Sequence, residues 1–101
     1  MLNEKISINL FRKVISSLSC IKYLTKNEMI KSNSEIYLQE MIVIFSDYRE
    51  GKLEIDKIHE LRITLDTFCN ECYEESDIFD YAEELQYGFV ELLENLNRGE
   101  N

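Results

Sequence analysis

Proline and tryptophan are absent from this 101-residue chain, glycine occurs three times and histidine once. With so few breakers, the sequence predicts helices joined by short turns. A single histidine leaves no Ser-His-Asp order to argue, and neither a Gly-rich phosphate loop nor a nucleophile elbow is present. Three cysteines, an odd number, suit a reducing compartment better than a disulfide framework, so the cytoplasm is expected. No apolar run approaches the ~20 residues of a membrane span. The start, MLNEKISINLFRKV, mixes Glu4, Arg12 and Lys13 with its apolar residues and does not read as a secretory signal.

The most informative absence is local. From Asp66 to Asn97 there are ten carboxylates and not one Lys or Arg. Residues 1–31 carry six basic and two acidic side chains, or +4, and residues 32–101 carry five basic and eighteen acidic, or −13, giving the overall −9. Such a surface repels nucleic acid and anionic lipid and favours a basic partner.

What is present is apolar periodicity. With 45% hydrophobic and 31% charged residues, the chain is expected to form one globular domain over 1–101, large enough for a single core. Helix one is expected over about Asn3 to Leu24, with Leu10 or Phe11, Val14, Leu18 and Ile21 as its stripe. Thr25 to Ser34 reads as a polar connection with Met29 and Ile30 tucked beneath it. Ser32 and Glu35 have capping-box spacing for helix two, which runs to Glu50 and stops at Gly51. MIVIF, Met41 to Phe45, has strand propensity, but its flanks continue a helical pattern with Leu38, Met41, Ile42 and Phe45 on one side.

Helix three is expected from about Glu54 to Tyr73, carrying Ile58, Leu61, Leu65, Phe68 and Cys72. Ser76 or Asp77 would cap helix four, where Ile78, Ala82, Leu85, Phe89, Leu92 and Leu96 step by 4, 3, 4, 3, 4. Short connections between such helices predict an all-α, four-helix, mostly antiparallel bundle.

Cys69-Asn-Glu-Cys72 has Cys-x-x-Cys spacing. A redox pair would need a low thiol pKa, usually at a helix N-terminus, whereas this pair falls near a C-terminus among Asp66, Glu71, Glu74 and Glu75. Packing is the better reading. A zinc site would have to recruit Cys20 and His59 without a second close-spaced ligand pair, so no metal or cofactor is expected. The acids lie mostly on solvent faces, so no catalytic residue is assigned and the chain is read as non-enzymatic.

The acidic face remains. Asp80, Glu84, Tyr87, Glu91 and Glu94 step by 4, 3, 4, 3 opposite the apolar stripe. Asp77 and Asp80 suit the positive end of helix four, but Glu91 and Glu94 lie towards the negative end. Asp80 and Glu84 repel at i,i+4 by a few tenths of a kcal/mol, about 0.2–0.5. Tyr87 lies within the stripe, while Tyr73 and Tyr81 flank the acidic turn, as aromatic anchors among charges would. The expected partner-binding set is Glu71, Tyr73, Glu74, Glu75, Asp77, Asp80, Tyr81, Glu84, Tyr87, Glu91 and Glu94. A solvated exterior explains the same charges without function. Gly88, in the middle of the helix, is read either as permitting close approach of another backbone or as drift. Ile42, Ile44, Tyr48, Ile63 and Leu93 exceed what one bundle core needs, which supports the alternative of an adaptor module or homodimer.

The stretch FSDYREGKLEIDKIHELRITLDTFCNECYEESD, a third of the chain, is similar to the colicin D type of bacterial immunity protein. Gly51-Lys52-Leu53 would be that family's glycine-containing turn, and Glu71 to Asp80 its acidic segment. The resemblance implies a bundle that occludes a basic, RNA-binding toxin active site by imitating phosphate charge.

Overall fold

Turn chemistry decides where the helices stop. The computed structural model describes residues 2–99. Among them are four α-helices, α1 (Leu2–Leu24), α2 (Glu28–Arg49), α3 (Ile55–Cys72) and α4 (Phe79–Gly99), and no strand. A 3₁₀ turn, Ser76–Ile78, leads into α4. MIVIF is helical, because its apolar run continues the phase of the residues around it.

The α1–α2 connection is shorter than expected. Asn27 caps α2, its side-chain oxygen accepting from the amides of Met29 and Ile30 at 2.9 and 3.1 Å. Ser32 is therefore an exposed residue inside the helix, and Met29 is exposed rather than tucked in. The longer helix also resets the buried face of α2. Ile30, Ser34, Tyr37, Met41, Ile44 and Tyr48 step by 4, 3, 4, 3, 4 towards the core, which leaves Ile42 45% exposed. Ser34 tolerates burial because its hydroxyl donates to the Lys31 carbonyl at 2.7 Å.

At the other end of α2, Gly51 takes φ +74°, the left-handed conformation expected of it. The Lys52 amide donates to the Asp47 carbonyl and the Gly51 amide to that of Tyr48, the bond pair of a Schellman stop. Neither Ser76 nor Asp77 caps α4, because both lie within the 3₁₀ turn, whose preceding residue is Glu75.

Cross-helix contacts give the topology. Ser17 meets Glu84 and Ser7 meets Asn95, so α1 and α4 are antiparallel. Phe11 stacks on Phe45 with ring centres 4.9 Å apart, and Lys22 pairs with Glu35, which makes α1 and α2 antiparallel. Tyr73 to Gln86 and His59 to Asn97 do the same for α3 and α4. The α1–α4 and α1–α2 seams are the most extensive, and of the four seams between adjacent helices that of α2 with α3 is the least.

The expected stripes of α1, α3 and α4 are all buried, with Phe11, Val14, Leu18, Ile58, Ala82, Leu85 and Leu92 at zero exposure. Burial of this kind is the main driving force for folding, about 1.5–3 kcal/mol for each large aliphatic or aromatic side chain. No helix among the described residues is long and apolar enough to cross a membrane.

Candidate partner-binding face

The heptad that buries Ile78 through Leu96 fixes α4 rotationally and turns its opposite edge outward. Asp80, Glu84, Tyr87, Glu91 and Glu94 are all exposed, with Tyr87 at 61%. From Asp80 to Glu94, fourteen helical rises, this edge is about 21 Å long. Among the described residues, its only salt bridge joins Glu94 to Arg98, at 4.0 Å and across exposed side chains. Glu84 also accepts a long hydrogen bond, 3.4 Å, from the Ser17 hydroxyl of α1. An exposed pair such as Glu94–Arg98 contributes well under about 1 kcal/mol, so the edge keeps its negative field.

Basic α1 lies beside this edge without neutralising it. The Lys13 stem crosses Gly88, its Cδ 3.6 Å from where a Cβ would stand, yet Lys13 is in no salt bridge. Gly88 therefore faces side chains of α1, Val14 and Lys13, rather than another backbone.

The turn between α3 and α4 divides the remaining expected residues. Glu71 and Glu74 are exposed and in no salt bridge, whereas Asp77 pairs with Lys26 at 3.5 Å. Glu75 is half-buried and serves the fold. Its carboxylate accepts from the Thr25 hydroxyl at 2.7 Å and from the Lys26 amide at 2.8 Å, joining the α1–α2 connection to the 3₁₀ turn. Tyr73 is also tied inward: its hydroxyl donates to Gln86 at 2.5 Å, and its ring meets Phe79 at 5.0 Å. Burial pushes the Tyr73 phenol up, with Cys69, Tyr87, Glu83 and Cys72 adding to the rise. Tyr81 is half-buried against the core, so Tyr87 is the most outward of the three expected aromatic anchors.

The cysteine pair is packed away. Cys69 and Cys72 have zero exposure, and each thiol is pushed up to about 12. Desolvation is the main cause, followed by Cys72 and Asp66 for Cys69 and by Glu71 and Glu75 for Cys72. A thiol held protonated in this way is a poor nucleophile and a poor metal ligand. Among the described residues, no three His, Cys, Asp or Glu side chains converge as a metal site. His59 is exposed, and its ring nitrogen Nε2 lies 3.3 Å from Asn97 Oδ1.

Sequence reasoning missed an open groove between α2 and α3. The available signal was Ile36 and Val43, seven residues apart on one face of α2 and away from its buried stripe. Comparison with protein-family models, curated proteins and solved structures finds no match.

Proposed function

We propose that this chain is a non-enzymatic, acidic binding protein of the inhibitor or immunity kind. It would act in the cytoplasm by occluding a basic partner, such as a nuclease toxin or another nucleic-acid-binding protein. The observation that carries the reading is the outward edge of α4. Asp80, Glu84 and Glu91 stand on it without a cationic partner, around an exposed Tyr87. Asp80 gains from the first turn of α4 and Glu84 from Ser17, but Glu91 has neither support, and Asp80 and Glu84 repel each other at i,i+4. A docked basic surface would relieve that repulsion, and Tyr87 would supply a rigid amphipathic anchor. Glu71 and Glu74 extend the same negative field around the end of the bundle, where Asp77 is paired with Lys26.

Electrostatic steering of this kind gives fast association that slows as salt shortens the Debye length to about 8 Å at physiological ionic strength. The test is co-purification from the source cell, followed by association kinetics with the captured protein at low and high salt. The expected partner is basic, its on-rate falls with salt, and Asp80→Lys with Glu84→Lys and Glu91→Lys abolishes capture. Salt-independent binding, or binding that survives the triple reversal, would overturn the reading.

Of the five apolar positions read as surplus, Ile44 and Leu93 are buried and Tyr48 packs half-buried against the core, but Ile63, 76% exposed, and Ile42, 45%, still favour the adaptor or homodimer alternative. Light scattering over a concentration series separates the two, since a constant monomer mass removes the dimer.

A further inference from the structure

α2 turns only four residues fully into the core, Ile30, Ser34, Met41 and Ile44, which leaves its seam with α3 incompletely filled. A groove of about 480 Å³ runs along that seam. Buried Ile44 and Leu61 form its floor, and Val43, 58% exposed, forms part of its wall. Ile36, 54% exposed and seven residues before Val43, continues the same edge of α2. Glu40 stands on one rim and Glu60 on the other; both are exposed and in no salt bridge. Lys57 lines one end.

We propose that this groove docks an amphipathic helix of a partner protein, one whose apolar ridge is flanked by Lys or Arg. The shape calls for a helix. The lining positions on α3 recur at i, i+3, i+4 and i+7, a straight channel of roughly two turns, about 10 Å, that accepts side chains at the same spacing. The charge selects the flanks. Carboxylates on both rims, on a molecule of net charge −9, favour cationic side chains on either side of the ridge. Lys57 gives the groove a direction, because the ligand's basic flank must end before it. A second copy of this chain fits poorly, since it brings its own −9 and sets its Glu40 and Glu60 against the same carboxylates. The groove lies on α2 and α3, which contribute nothing to the outward edge of α4, so the proposal is independent of that edge's role.

The test uses the full chain, ¹⁵N-labelled, titrated with a synthetic Leu/Lys amphipathic helix about four turns long. Controls are a scrambled peptide of the same composition and a Leu/Glu helix. The expected result is saturable amide shifts at Gln39, Val43 and Thr64 with the Leu/Lys helix alone. Val43→Asp, at an exposed position that leaves the fold intact by circular dichroism, should weaken binding about tenfold. The reversal of Asp80, Glu84 and Glu91 to Lys should leave those groove shifts in place. Shifts confined to α4, equal binding of the scrambled or acidic peptide, or no shift at all would overturn the proposal. It would also fail if the groove amides moved on dilution of the protein alone, which would identify a second copy as the occupant.

Discussion

Gly88 shows that a glycine in the middle of a helix need not mark a close approach. A Cβ there would meet Val14 Cγ2 at 3.5 Å and Lys13 Cδ at 3.6 Å, ordinary van der Waals separations. Glycine inside a helix costs roughly 0.5–1 kcal/mol relative to alanine. Gly88→Ala should therefore stabilise the protein by about that amount in urea denaturation, and a loss of stability would show that the α1–α4 seam is tighter than these distances imply.

Cys69 and Cys72 give a second prediction at this scale. The folded protein holds both thiol protons up to about 12, whereas the unfolded chain releases them near the ordinary value of 9.0. Between those values the native state binds more protons, so stability falls as pH rises, by up to about 1.4 kcal/mol per pH unit for each thiol. Denaturant midpoints measured from pH 8 upward should show that decline, and Cys69→Ala with Cys72→Ala should flatten it. In the native protein, iodoacetamide should modify half-buried Cys20 well before either member of the buried pair.

Helix boundaries show which local signals were decisive. Gly51 is legible because a left-handed stop has one common residue, and the Schellman bonds at Asp47 and Tyr48 confirm the reading. The start of α2 is less legible, because two capping patterns compete within the nine residues from Asn27 to Glu35. Ser32 with Glu35 has the capping-box spacing, yet Asn27 makes the bonds. Thr25 and Glu75 settle the competition, because their long-range contact positions the connection directly before Asn27. Asn27→Ala should cost about 1 kcal/mol and lower the melting temperature by about 4–8 °C. Ser32→Ala should change little, and circular dichroism melts of the two variants compare the caps directly.

The same displaced boundary explains the error at Ile42. Once Ile30 and Ser34 belong to the helix, the phase of α2 passes through Ile44, which is 8% exposed, and Ile42 falls outside. In α4, by contrast, a six-member apolar heptad fixed the buried face, and the exposed acidic edge follows from it by exclusion. Tyr73 and Glu75 were legible as members of the acidic turn. Their inward bonds to Gln86 and to Thr25 were not, since those partners lie thirteen and fifty residues away in sequence.

At the scale of the whole molecule, the charges are segregated faster than they are compensated. Four salt bridges connect the described residues, and only Lys22–Glu35 and Lys26–Asp77 join residues distant in sequence. A molecule of net charge −9 with so few pairs repels itself, and mobile ions screen that repulsion. The melting temperature should rise as sodium chloride increases from about 0.01 M to 0.15 M, where the Debye length shortens from ~30 to ~8 Å. A melting temperature that falls over this range would mean that attractive pairs outweigh the repulsion.

Fold class and the faces of α1, α3 and α4 were determined by the sequence itself, because helical periodicity is a local property and each stripe declares its own buried side. The acidic edge of α4 belongs with them, as the complement of a heptad. Only the tertiary structure decided which acids remain outward and which become fasteners, because that depends on residues brought together from distant parts of the chain. It likewise decided that Gly88 faces Lys13 and Val14 rather than another backbone. The same holds for the open α2–α3 seam, since a groove is the shortfall between two packed surfaces and neither helix contains it alone.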